Sequence, residues 1–167
     1  MSNQLTIRKA QVADAERMIH VHFNAVHGIP KNIYSQAVLL SWSPTPCCNR
    51  YEWMRGVVHS PARLALVAEL GFEICAFSIC SLTDAFIQAI YVDPKFSGRG
   101  IGKDLLSYSE NNFLQAGFST VKLNSSINAV DFYRPLGYRV NTQTTQSLKD
   151  GTEMVCYEMQ KTLATTN

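Results

Sequence analysis

Between residues 86 and 106 an apolar run halts at a proline, a glycine cluster follows, and a helical pattern begins. The run FIQAIYV at 86–92 is β-branched and aromatic, ends at Asp93-Pro94, and reads as a strand. Ile101, Leu105, Leu106 and Phe113 share one face of a helix that Gly117 stops. Gly98, Gly100 and Gly102, three of the nine glycines in the chain, stand between them. Such a cluster lets a backbone come close to a ligand and turn successive N–H groups toward it. The helix N-terminus adds unpaired N–H groups and a partial positive charge. Together they form an anion site, most often for phosphate. Arg99 and Lys103 add formal charge on either side of it.

Three phosphate loops compete for this spelling. A Walker loop needs G-x-x-x-x-G-K-[ST]. Ser97 stands where its first glycine belongs and Asp104 where its hydroxyl belongs, so no metal-binding hydroxyl follows. A dinucleotide fingerprint fails because Lys103, not glycine, follows Gly102. The third is an acyl-coenzyme-A loop of pattern Q/R-x-x-G-x-G/A, to which Ser97-Gly98-Arg99-Gly100-Ile101-Gly102 corresponds at both glycines. A plain glycine-rich turn is the bland alternative.

The 167 residues suit one domain spanning 1–167, with chain enough for a sizeable core. A hydrophobic share of 46% against 17% charged places it among folded chains rather than disordered ones. Net charge of +2 is too weak to argue for nucleic acid, though a few local cations suffice for an anionic small ligand. No apolar run approaches the ~18 residues of a membrane helix, and Met1 to Gln4 lack a signal pattern. Five cysteines, with no C-x-x-C, favour neither a disulfide framework nor a zinc site, so no metal is expected and the cytoplasm is the default compartment.

In chain order, residues 5–8 alternate as a short strand, and Asp14 caps a helix. Ala15, Met18, Ile19, His22, Phe23 and Val26 form the buried face of that helix, which places His22 in packing and leaves His20 solvated. Residues 31–63 hold both tryptophans; a short helix over 37–42, a loop over 43–48 and a helix from about 51 are expected there, forming either a substrate-facing wall or simple packing. Residues 64–69 and 74–80 read as a hairpin of strands, and the central strand follows. Residues 120–124 form the next strand, so a strand–helix–strand unit predicts a parallel pair. A short helix over 129–133 is closed by Pro135 and Gly137. Strands at 138–140 and 154–159 close the fold, and a polar tail begins at Leu163.

This order of elements resembles the GNAT superfamily of N-acetyltransferases. The loop carries the resemblance, as does Ala129-Val130-Asp131-Phe132-Tyr133-Arg134-Pro135-Leu136-Gly137-Tyr138, which is similar to the family's A-x-x-F-Y-x-x-L-G-F/Y signature. It implies a single α/β (α+β) domain with a mixed six- to seven-stranded sheet, about four helices and a central, splayed parallel strand pair. It also implies acetyl-CoA as co-substrate. Backbone groups of Ile90, Tyr91 and Val92 would pair with the pantetheine arm, and Ser97, Gly98, Arg99, Gly100, Ile101, Gly102 and Lys103 would cradle the pyrophosphate. Ser97 departs from the usual Gln/Arg, which removes one side chain and leaves the backbone donors. Ser126 stands where many relatives carry Asn, with Asn124 or Asn128 as replacements.

The family's chemistry is direct attack of an amine on the thioester, with Tyr133 as the general acid that protonates the departing thiolate; a phenol is neutral at pH 7 and can donate that proton. Candidates for relieving the amine of its proton are Asp84 first, then Glu69, Glu73 and His27. No G-x-S-x-G exists, so serine nucleophile chemistry is not expected. The acceptor is a small molecule or a peptide amine, and a homodimer stays open. The rival from another class is an acyl-CoA-binding sensor that has lost turnover.

Overall fold

Seven strands and five α-helices make up the computed structural model, which describes residues 4–164. The reading of Met1 to Gln4 and of the extreme C-terminal tail falls largely outside those residues. In order they are β1 (Leu5–Lys9), α1 (Ala15–His27), α2 (Gln36–Trp42), α3 (Cys48–His59), β2 (Arg63–Leu70), β3 (Glu73–Ser81), β4 (Phe86–Val92), α4 (Ile101–Gln115), β5 (Thr120–Ser126), α5 (Val130–Tyr133), β6 (Arg139–Ser147) and β7 (Glu153–Thr162). They form one sheet of order β1-β2-β3-β4-β5-β7-β6. Every neighbouring pair is antiparallel except β4 and β5, the pair joined through α4. Among the described residues no helix is long and apolar enough to cross a membrane.

Alternation along the strands divides the core into two layers. Leu64, Leu66, Ile87, Val121, Leu123 and Met159 face α4 and α5. Ala65, Val67, Ile74, Phe77 and Ile79 face α1 and α3. The predicted stripe Ala15, Met18 and Ile19 packs into the second layer.

Glycine sets the ends of two helices. Gly117 at φ +89° follows α4; the Phe118 amide donates to the Phe113 carbonyl and the Gly117 amide to that of Leu114. This paired reversal satisfies the last carbonyls and folds Phe118 back edge-on against Phe113, ring centres 6.2 Å apart. Gly137 at φ +96° repeats it after α5, where the Tyr138 amide donates to the Tyr133 carbonyl and the two rings meet at 5.5 Å. A residue with a side chain resists that backbone conformation, so both reversals depend on glycine.

Four expectations are corrected. β6 runs nine residues, not three, because its sequence RVNTQTTQS is polar and almost wholly exposed at the sheet edge, where no apolar alternation marks a strand. Leu163 is buried against the α4 layer rather than lying in a tail, its amide held by the Ser119 carbonyl. Asp14 does not cap α1 through its side chain; its carboxylate instead accepts from the Gln11 amide at 2.7 Å and from the Arg8 guanidinium. His20 is half-buried beside Tyr51, whose hydroxyl lies 3.2 Å from its Nε2.

Phe113 is fully buried where α4 meets the sheet. Phe113→Ala is expected to destabilise the protein by about 3–5 kcal/mol, combining lost transfer energy with a residual cavity. A urea titration should show a lower midpoint with an unchanged slope.

Candidate active site

Two registers only, Phe86 with Lys122 and Ile87 with Leu123, join β4 to β5. Beyond them the strands part. On the other side of β4, pairing with β3 slips at the same place: Cys80 faces Ile87 and Ile79 faces Ala89, which leaves Gln88 as a bulge. A bulge bends the strand that carries it, so β4 turns away from β5 while keeping β3. The cleft is lined by backbone and side chains of 87–91 on one wall and of Leu123 to Ser126 on the other. Ala129 and Tyr133 border it from α5 and the turn before it, and Trp42, Gln146 and Met154 from the opposite side of the sheet.

Asp93 anchors the end of β4. It is 1% exposed and accepts from Arg17 at 3.0 Å, Asn24 at 2.9 Å and the Lys95 amide at 3.3 Å. Burial works to raise its pKa, but these donors outweigh burial and hold the carboxyl below the usual range. A single turn over Pro94–Phe96 leads to the glycine loop, where Gly98 (φ +76°) and Gly100 (φ +78°) adopt the left-handed conformation. Gly100 is the N-cap of α4 and brings no side chain to the first turn, so the leading amides remain free for a ligand. Arg99 and Lys103 are exposed and make no ion pair among the described residues; Arg99 lies over the Phe96 ring at 5.6 Å. Gly102 has a different role, since a Cβ there would meet Phe132 at 3.3 Å and Val92 at 3.4 Å. Free amides, two uncommitted cations and an open surface fit a pyrophosphate.

Tyr133 sits at the α5 end of the cleft. Phe132 packs edge-on at 4.9 Å on one side and Tyr138 at 5.5 Å on the other. The Tyr138 hydroxyl donates to Glu110, which also receives Lys161 at 2.7 Å, so the Glu110 charge beneath Tyr133 is balanced. Burial pushes the Tyr133 phenol well above its ordinary range, reinforced by Tyr91 and Cys80. Its hydroxyl makes no hydrogen bond among the described residues, yet no fully buried side-chain nitrogen or oxygen is left unpartnered. The hydroxyl therefore opens into the cleft.

The facing wall is aromatic. The Trp42 indole donates to the Tyr91 hydroxyl at 3.1 Å, and the His22 ring lies 4.5 Å from that of Tyr91. Arg50 donates to His22 Nδ1 at 3.0 Å and, through its other guanidine nitrogen, to the Pro44 carbonyl. With Nδ1 accepting, the ring proton lies on Nε2. Burial, then the Arg50 charge, push His22 down to about 3, so it is neutral. Tyr34 clamps the wall to the far strands: its hydroxyl donates to the Val155 carbonyl at 2.7 Å and accepts from the Ile127 amide at 2.8 Å.

The cleft gathers Ile90, Tyr91, Asn124, Ser126 and Tyr133, while Val92 leads on to the loop residues 97–103. Asn128 is exposed and outside the lining. The structure does not bring Asp84 to the cleft. It lies in the turn before β4, at the end where β4 and β5 are still paired, exposed and held by Ser81. Glu69 is bound by Arg8 at 2.6 Å near the β1 edge. Glu73 is shared by Arg17 and Lys95. His27 is spent on the Ser43 carbonyl at 2.8 Å. Gln146 and Met154 are cleft residues that the sequence did not single out; Trp42 comes from the aromatic segment expected to form either a substrate-facing wall or simple packing, and it lines the cleft.

A family model described as an acetyltransferase (GNAT) domain matches residues 43–162, and the chain belongs to that family. An N-acetyltransferase of Methanocaldococcus jannaschii, itself named as uncharacterized, is 26% identical over 142 residues, covering 80% of this chain; the chain spans only 60% of that relative's length. A GCN5-related N-acetyltransferase structure from Rhodopseudomonas palustris superposes with a TM-score of 0.87 at 21% identity, covering 98% of each chain. The PaiA N-acetyltransferase of Thermoplasma acidophilum, solved in complex with coenzyme A, gives 0.77 at 20% identity over 96% of this chain and 99% of its own.

A histidine held neutral contributes stability above its unfolded pKa of about 6.5 and loses it as pH falls toward the folded value. Stability should therefore decline from about pH 6.5 down toward pH 3 through His22. His22→Gln, which still offers Arg50 an acceptor, should flatten this decline when urea midpoints are measured across that range.

Proposed function

We propose that the chain is an N-acetyltransferase that moves an acetyl group from acetyl-CoA to a primary amine by direct attack. The observation that carries this reading is the parting of β4 from β5 directly ahead of a loop built to hold an anion. The backbone edge of 88–92 has no β5 partner, and an extended, amide-bearing arm can complete it as a half-strand. Coenzyme A carries such an arm together with a pyrophosphate, and its presence in the Thermoplasma relative supports the assignment.

The bound thioester supplies an activated acyl group. In this reading Ile90, Tyr91 and Val92 orient its arm through their backbone. Amides of 98–103, with Ser97, Arg99 and Lys103, hold the phosphate charge. Asn124 and Ser126 line the β5 side. The ammonium first gives one proton to water; the free amine nitrogen then forms a bond to the acyl carbon as the carbon–sulfur bond breaks, the sulfur receives the Tyr133 hydroxyl proton, and the second proton shed by the nitrogen returns through water to the Tyr133 oxygen. Burial raises thiols as it raises phenols, so the thiolate formed beside Tyr133 gains basicity along with its donor, and the transfer remains feasible. Asp84, displaced to the closed end of β4, takes no direct part.

Calorimetry with acetyl-CoA should give micromolar binding, and Gly100→Glu should abolish it by placing bulk and negative charge in the loop. Failure of the wild type to bind would overturn the reading. Tyr133→Phe should lower kcat by 10²-fold or more with little change in acetyl-CoA affinity. Tight binding with no thiol release from any amine would turn the reading toward an acyl-CoA sensor.

A further inference from the structure

A polar groove continues the cleft across the sheet. Phe86, Lys122, Asn124, Asn141, Glu158 and Gln160 line it, and it shares Leu123 and Asn124 with the cleft. Leu123 and Met159 face α4, so by alternation Asn124 and Glu158 face the other side, away from Tyr133 and the α4 layer. Asn124 and Glu158 are direct partners in the β5–β7 ladder. Partner side chains stand roughly 5 Å apart on one face, so Glu158 is the neighbour of a residue in the cleft wall.

Most carboxylates packed against the sheet are committed to cations; Glu16, Asp104 and Glu153, exposed and without an ion pair among the described residues, lie outside both the cleft and the groove. Arg8 holds Asp14 and Glu69, Arg17 holds Asp93 and shares Glu73 with Lys95, and Lys161 holds Glu110. Glu158 is exposed and makes no hydrogen bond or ion pair among the described residues. A carboxylate without a partner, set in a concave polar surface that runs into the reaction cleft, complements a cation there.

Resting on the acetyltransferase reading, we infer that this groove is the acceptor site, that Glu158 is its charge-recognising residue, and that the acceptor class is cationic primary amines carried on a polar chain. The amine group reaches the cleft over Asn124. Gln160 and Asn141 hydrogen-bond the chain that follows, and Lys122 disfavours a second positive charge farther along the groove. Neutral arylamines gain nothing from Glu158 and are poor acceptors.

The test compares Nα-acetyl-lysinamide, cationic at pH 7.5, with p-anisidine, neutral there, by thiol release at saturating acetyl-CoA. Wild type should favour the cation in kcat/KM. Glu158→Gln should raise its KM about tenfold, the loss of one close charge pair at a partly screened site, while kcat for p-anisidine and calorimetric acetyl-CoA affinity stay unchanged. Added sodium chloride should raise the lysinamide KM in wild type and leave the variant nearly flat. Unchanged KM in the variant, or preference for p-anisidine, would overturn the assignment of Glu158 while the transferase reading stands. No thiol release from either amine, or from a wider amine panel, would overturn both.

Discussion

The interrupted pairing of β4 with β5 is the constraint on which the molecule depends. A sheet interior normally pairs every backbone donor and acceptor, because an unpaired one away from water is costly. Here pairing stops after two registers, and the freed edge of β4 can be left only where water or a ligand reaches it. Each wall is therefore held from outside. β4 keeps its full run against β3, absorbs the divergence as a bulge at Gln88, and is pinned at its end through Asp93 to Arg17 and Asn24 on α1. β5 keeps its run against β7, and Tyr34 ties the backbone just beyond it to Val155.

The break also separates two chemistries. On the α4 side lie the loop amides, the cations Arg99 and Lys103, and Tyr133 above its Tyr138–Glu110–Lys161 support. On the other lie the Trp42–Tyr91–His22 wall and the polar strands β5, β7 and β6. In the proposed reaction a large anionic donor would enter from the side of the loop and the acceptor from the other, so the two would touch only through the cleft. The half-buried aromatics Trp42, Tyr91 and His22 stand in between. His22 shows the cost: a ring placed in that wall is forced neutral and needs Arg50 to satisfy its nitrogen.

Local chemistry made part of this legible. Gly98 and Gly100 stand where the backbone must turn left-handed, and Gly117, two residues after α4, and Gly137, four after α5, each make the same reversal. Tyr133, four residues before Gly137, is carried to the cleft by a short helix whose stop is written beside it. The strands over 64–92 and 120–124 are apolar enough to be read as such. β6 was not legible, because an exposed edge strand has no apolar face to show; nor was the place of Asp84, because proximity to β4 in sequence says nothing of which end of that strand opens.

The sequence by itself thus determined what local patterns carry: the glycine loop, the helix stops, the phenol at the end of α5, and the succession of strand, helix and strand that makes one pair parallel. Tertiary structure alone decided what depends on strand register and long closures. Trp42 reaches Tyr91 across 49 residues, Tyr34 reaches Val155 across 121, and Glu158 stands beside Asn124 only because β7 inserts next to β5. A one-residue slip in that ladder would send Glu158 to the opposite face. No local pattern encodes register of that kind, because it is set by the packing of both faces of the whole sheet at once.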